Sequence, residues 1–280
     1  MEWSKLKNII ILILLLVNLF LLAMAGVQER DSVQYQEQAV ADALTVLERN
    51  GIKVAPGTVP GQMSLSSMTV QRDRQQEQNL AEALLGQCSV SDLGGGRYSY
   101  ASSLGSAEFR SNGNFSVSFS NGIPLAEGVG DETTHALAIA AKIGLSGTVA
   151  ELIPSAEEGT GVVLYQTWQE IPVYSCRITM QYRDGALWSV SGQRLMGEPQ
   201  TAGSQEKLIS IPTVLMRSLN GINDLGDICS EILSLTPGYQ MSNPAEGTRM
   251  EPVWYVVTDT GAYQNKLLDV LLSVIVEIQD

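Results

Sequence analysis

Few residues in this chain could carry covalent chemistry, and their types and spacing restrict what each could do. The triplet Asp259-Thr260-Gly261 follows the apolar run Val253-Trp254-Tyr255-Val256-Val257. A carboxylate in that setting could take part in acid proteolysis, which needs two carboxylates sharing one proton. The triplet occurs once and the chain ends at Asp280, so the better reading is a hairpin turn after a strand at 252–258. His135 is the sole histidine and thus the sole imidazole base. It stands near the start of a helical stretch, where solvation is its ordinary environment, and no Gly-x-Ser-x-Gly surrounds any serine. The three cysteines, Cys88, Cys176 and Cys229, lie far apart with no Cys-x-x-Cys, which excludes a zinc ribbon and a dithiol redox site. Cys176 falls on the apolar face of a strand with Tyr174, Ile178, Met180 and Tyr182, as a small buried hydrophobe would. Gly94-Gly95-Gly96 has no Lys-Ser/Thr after it and opens no helix, so it reads as a turn rather than a phosphate loop. The residues therefore predict no enzyme, no catalytic residue, no cofactor and no metal.

The elements that would position any site begin with the N-terminus. Residues 9–25 are apolar except for Asn18, with Lys5 and Lys7 before them and Glu29, Arg30 and Asp31 after. A helix needs roughly 20 apolar residues to cross about 30 Å of hydrocarbon, and a basic flank stays cytoplasmic. Residues 1–27 are accordingly expected to form a cytoplasmic start and transmembrane anchor. The chain is then a single-pass protein of the cell membrane, N-terminus inside and body extracytoplasmic. Trp3 suits the inner interface. Ala23-Met24-Ala25 also fits a signal-peptide cleavage pattern, but the run exceeds the usual 7–15-residue core of such peptides. Without a cysteine after the run, a lipid anchor is not expected. Asn18 has two readings: a partner-binding residue satisfied against another helix, or an amide bonding its own backbone.

The 280 residues carry a formal charge of −13. Such a surface repels nucleic acid. An odd number of cysteines leaves at least one thiol free and argues against a disulfide scaffold.

Helix and strand signals alternate along the body. Asp31 with Gln34 begins a helix through Val40, Leu44 and Leu47, stopped at Asn50-Gly51 and continuing almost directly from the anchor. A short strand is expected at 65–71, and Asp73 with Gln76 caps a helix ending at Gly86. Period-two patterns then predict strands at 97–102, 107–111 and 114–120, with Asn112-Gly113 as a hairpin turn. Asp131 opens a third helix ended by Gly144. Strands follow at 161–168, 172–182 and 186–194, with a tight turn at Asp184-Gly185. Ser210 and Pro212 open a fourth helix closed at Asn220-Gly221. The last clear strands are 228–235 and 252–258. In the tail, Asp269, Ser273 and Glu277 recur four apart, which predicts an amphipathic helix over 267–278. This is an α+β chain: an N-terminal transmembrane helix followed by antiparallel sheets with helices packed on them, in an N-terminal domain at 28–125 and a C-terminal domain at 126–280.

Several strings together resemble a known family. Met1-Glu2-Trp3-Ser4-Lys5-Leu6-Lys7, leading into the Ile/Leu-rich run, resembles the start of the YycI regulatory proteins of Gram-positive bacteria. Tyr165-x-x-Trp168, Pro172-Val173-Tyr174, the Asp184-Gly185 turn and Ser189-Val190-Ser191-Gly192 look like hairpins of that family, of its sister YycH and of PepSY-type domains. Residues 228–235, Gly238-Tyr239, Pro252-Val253-Trp254 and Thr260-Gly261-Ala262-Tyr263 look like its closing strands. After Tyr263 the sequence departs from the family's Tyr/Val/Asn-type final strand and its Thr-Gly-Glu turn. The resemblance implies a non-enzymatic subunit that associates, with a YycH-like sister protein, with the sensor histidine kinase WalK (formerly YycG). It would modulate two-component signalling for cell-wall metabolism, largely through membrane helices. Two other functions fit the residues: a PepSY-type inhibitor or chaperone of an exported protease, and a secreted ligand-binding module.

Overall fold

The computed structural model describes residues 3–61, 63, 65–125, 131–155, 159–201, 208–225, 228–242, 248–260, 262–266 and 276–277. In chain order these form α1 (Trp3–Arg49), β1 (Lys53–Val54), β2 (Met68–Val70), α2 (Arg74–Leu85), β3 (Ser89–Gly94), β4 (Arg97–Ser102), β5 (Gly105–Phe109) and β6 (Asn114–Pro124). Then come α3 (Glu132–Lys142), β7 (Gly147–Ser155), β8 (Gly159–Trp168), β9 (Ile171–Arg183), β10 (Ala186–Gln193) and β11 (Pro199–Thr201). The chain closes with α4 (Ile211–Leu225), β12 (Glu231–Ser242), β13 (Thr248–Thr258), β14 (Ala262–Lys266) and β15 (Val276–Glu277). This is α+β, with a mostly antiparallel sheet ordered β11-β2-β13-β12-β9-β10-β6-β5-β4-β3.

The expected transmembrane anchor is corrected by the structure. Among the described residues no helix is long and apolar enough to cross a membrane. The apolar segment is instead the front part of α1, a single 47-residue helix. Farther on, the same helix is exposed and polar at Gln34, Gln36 and Gln38 before it docks on the body. No helix start occurs at Asp31, because α1 passes through it. The helix ends where the sequence predicts: Gly51 has φ +83°, and the Ile52 N–H donates back to the Leu47 carbonyl at 3.0 Å, a left-handed C-terminal cap.

β9 is the strand on which both halves of the sheet depend. One edge pairs with β8 along nearly its whole length. The other edge is shared: its C-terminal part pairs antiparallel with β10, and Val173 near its start meets Tyr239 of β12 in parallel. On the far side of β10, β6 pairs in antiparallel register from Pro124 to Asn114. Three cores follow. α2 and α3 cover one face of β4–β6 and β8–β10, around Leu80, Leu84, Phe109, Val117, Ile178 and Met180. The end of α1 and α4 cover β12 and β13 around Leu47, Leu215, Ile232 and Trp254. A third cluster joins β2, the start of β9 and the segment after β10 through Val70, Val173, Leu195 and Met196.

Local signals account for most element ends. Asp73 accepts from the Gln75 and Gln76 N–H groups at 2.8 and 3.3 Å, and Asp131 accepts from the Thr134 N–H at 2.7 Å, each satisfying helix-start donors. Asp184 and Gly185 have φ +50° and +70°, as a two-residue hairpin turn requires. α4 runs past Asn220-Gly221 to Leu225, because Leu219 and Ile222 are buried and their packing outweighs the roughly 1 kcal/mol that a mid-helix glycine costs. In the tail, Ala262–Lys266 forms a strand beside β13. Val276 and Glu277 pair with β14, so the predicted helix over 267–278 does not include them; β-branched Val276 prefers this extended state. Residues 267–275 and 278 lie outside the described residues.

Leu47 is fully buried where α1 meets α4. Leu47→Ala should lower the free energy of unfolding by about 2–5 kcal/mol, the cost of lost burial plus a cavity. Urea denaturation followed by circular dichroism measures it, and a loss below about 0.5 kcal/mol would show that α1 is not held there.

Candidate functional site

Of the residues with possible chemistry, Cys229 lies beside Asp259, and His135 and Cys176 are placed elsewhere. Asp259 sits at the end of β13 with its carboxylate occupied, accepting from the Ser230 hydroxyl and from the N–H groups of Ser230 and Glu231. It pins the start of β12 to the end of β13. His135 is buried rather than solvated, and its Nδ1 lies 3.0 Å from the Tyr182 hydroxyl. The first turn of α3 packs on β9 there, and burial lowers the imidazole pKa, so the neutral ring is favoured. Cys176 is buried on the predicted strand face, with its thiol 3.2 Å from the Met241 sulfur. Burial raises the pKa of all three free thiols, the opposite of what a nucleophilic cysteine needs. Asn18 lies in the exposed apolar stretch of α1 and donates its amide to the Leu14 carbonyl at 2.8 Å. Among the described residues no group of three or more His, Cys, Asp or Glu side chains could hold a metal ion.

A different set of residues forms a concave polar site. A cavity of about 430 Å³ opens between α2, the loop from α3 to β7, the end of β8 and the segment after β10. Its walls include Asn79, Lys142, Gln166, Trp168, Arg194 and Glu198. A shallower depression of about 580 Å³ shares residues 144–146 and Thr167 and reaches Glu170.

Behind the α2 wall lies a buried charge cluster. Glu77 is 1% exposed and takes two hydrogen bonds from Arg72, Nε to Oε1 at 2.7 Å and Nη2 to Oε2 at 3.0 Å. The remaining Arg72 nitrogen, Nη1, donates to the Gly96 carbonyl at 2.7 Å. Arg194 is 3% exposed. Its Nη2 stands 3.9 Å from Glu77 Oε1, beyond hydrogen-bonding distance, and has no hydrogen-bond partner. Arg194 Nη1 donates to the Leu195 carbonyl at 2.9 Å, and the guanidinium lies 5.5 Å from the centre of the Phe109 ring. Burial lowers the Arg194 pKa while the Glu77 charge opposes that shift. Guanidinium pKa values start so high that the group stays charged. Nearby, Gln166 Oε1 accepts from the Leu195 N–H at 2.9 Å, and the buried Trp168 Nε1 is also without a hydrogen-bond partner.

The β8–β9 turn beside Trp168 is strained. Gln169 and Glu170 have φ +50° and +67°, in the left-handed region that favours glycine or asparagine, at a cost on the order of 1 kcal/mol or more per residue. Sequence reasoning missed this whole site. One signal pointed to it: Glu77 shares the core-facing stripe of α2 with Leu80, Ala81 and Leu84. A carboxylate there needs a buried cationic partner.

No family model and no curated protein matches the chain. Its fold can be superposed on the crystal structure of an uncharacterized protein from Eubacterium rectale ATCC 33656, with a TM-score of 0.47 and 11% sequence identity over 81% of this chain and 86% of that one.

The bonds to Asp259, that from the Ser230 hydroxyl foremost, hold its carboxyl at about 2, below its ordinary value of 3.8. The stability it contributes is therefore present above the ordinary value and is lost as pH falls through about 2. Asp259→Asn should lower Tm at neutral pH, and its gap from the wild type should close on acidification from about pH 4 to about pH 2. Melting curves across that range decide it. A gap that stays constant would show that the carboxylate charge does not hold this turn.

Proposed function

We propose that the protein is a non-enzymatic regulator of two-component signalling. It works by association with a sensor histidine kinase and a YycH-like sister protein, as the resemblance to YycI proteins implies, and it acts at the cell membrane with its body outside the cytoplasm. The observation that supports this reading is the form of α1. Residues 10–22 expose one apolar side chain after another, from Ile10 at 48% to Leu22 at 78%. A contiguous apolar surface of that extent marks an interaction site. The same helix is locked to the body at its other end by Ala43 and Leu47. A partner that covers the front of α1 is thereby coupled to the sheet through one continuous element. Asn18 is the polar side chain within residues 10–22. With its amide on Leu14 O, its Oδ1 can accept a hydrogen bond from a partner helix.

Leu15 and Leu19 are 55% and 61% exposed and one helical turn apart, so they share a face. Replacing both with Gln removes apolar contact area and leaves the cores intact. The variant should keep the wild-type Tm of the body and lose most of its co-purification with the kinase and the sister protein. Co-purification at wild-type yield would overturn the proposal.

A further inference from the structure

We propose that the cavity walled by Arg194, Trp168 and Lys142 is a binding site for a small carboxylate, about the size of a dipeptide. This goes beyond the partner reading of α1 and does not rest on it.

The first argument is charge. Arg72 and Arg194 both flank Glu77, which accepts its two short bonds from Arg72, and Asp73 is a second carboxylate that acts on Arg194 only through space. The buried Arg194 Nη2 thus has no hydrogen-bonded counter-ion. A buried charge is tolerated when it is paired and hydrogen-bonded, so an anion is the missing component.

The second argument is the inventory of donors and acceptors. The Leu195 carbonyl is taken by Arg194 Nη1, Gln166 Oε1 by the Leu195 N–H, and the Gly96 carbonyl by Arg72. Among the described residues that wall the cavity, two buried donors have no hydrogen-bond partner, Arg194 Nη2 and Trp168 Nε1. Two donors call for a pair of acceptors, and a carboxylate supplies two oxygens with a negative charge. Both nitrogens are essentially closed to solvent. Ligand entry therefore includes a small swing of Arg194 out of its 3.9 Å contact with Glu77.

Size and rim narrow the class further. A volume of about 430 Å³ falls in the range of small-molecule sites. Lys142, Glu198, Asn79 and Thr167 on the walls offer both charges and neutral polar groups to the amide and amino end of a dipeptide. Glu198 disfavours a more highly charged anion such as phosphate. The strained turn at Gln169 and Glu170 adjoins Trp168, and strain of this kind concentrates at ligand sites.

Isothermal titration of the full chain with alanyl-alanine, alanyl-alanine amide and inorganic phosphate tests the assignment. Saturable binding of alanyl-alanine is expected, with the amide and phosphate at least tenfold weaker. Because Arg194 also supports the fold, Trp168→Phe is the decisive variant: it keeps a smaller aromatic ring at the position and deletes the N–H. It should weaken alanyl-alanine at least about tenfold, the loss of one hydrogen bond to a charged group, with an unchanged circular dichroism spectrum. Equal binding of acid and amide, tighter binding of phosphate, no binding of any probe at millimolar concentration, or full affinity in Trp168→Phe would each overturn the proposal.

Discussion

Glu77 is the carboxylate on which the packing of this chain turns. It holds Arg72, which in turn grips the β3–β4 turn through Gly96. It is also the counter-charge nearest the Arg194 guanidinium. Arg194 lies against Phe109 of the α2 core, and its chain neighbours Leu195 and Met196 belong to the third cluster. A few ångströms of charged contact thus join two apolar cores at their seam. Removing one partner from such a buried pair costs about 3–5 kcal/mol, a large share of the 5–15 kcal/mol that holds a typical domain together. The seam is tight in its backbone as well. The Asp73 N–H donates to the Met196 carbonyl at 2.7 Å, so the helix that carries Glu77 starts against the segment after β10 that carries Arg194.

This arrangement explains why the polar cavity lies where it does. Side chains fill the cores on either side of the seam, and the charged residues between them cannot pack as apolar groups do. β9 sets the geometry by pairing with β8, β10 and β12, which fixes the relative positions of Trp168 at one hairpin and Arg194 beyond the other. Asp259 closes a turn, His135 meets Tyr182, and Cys176 packs against Met241. Among the described residues, the front of α1 exposes a row of apolar side chains, and the cavity-wall donors Arg194 Nη2 and Trp168 Nε1 have no hydrogen-bond partner.

Local signals in the sequence specify their elements, and long-range pairings leave no local signal. The caps at Asp73 and Asp131 and the turns at Asn112-Gly113 and Asp184-Gly185 are decided within four residues, and each falls where its residue types place it. β3 escaped notice because every residue in it is exposed, which leaves no alternation to detect. The pairing of β6 with β10 joins residues about 70 apart and has no local signature. Asn220-Gly221 looks like a helix end, but burial of Ile222 overrides it. Hydropathy at 9–25 matched a membrane span in composition, whereas α1 is one helix continuing into the body. The charged position in the α2 stripe was legible, since Glu77 shares its face with Leu80 and Leu84. Its two arginine partners were not, because one precedes the helix and the other is more than a hundred residues away.

A double-mutant cycle between Glu77 and Arg194 tests the central role of that carboxylate most directly. Unfolding free energies would be measured for the wild type, Glu77→Gln, Arg194→Gln and the double variant. If Glu77 is the counter-charge for the buried Arg194, the double variant is less destabilised than the sum of the single ones, by about 1–3 kcal/mol. Additivity within about 0.5 kcal/mol would contradict it and leave Glu77 as the partner of Arg72 alone.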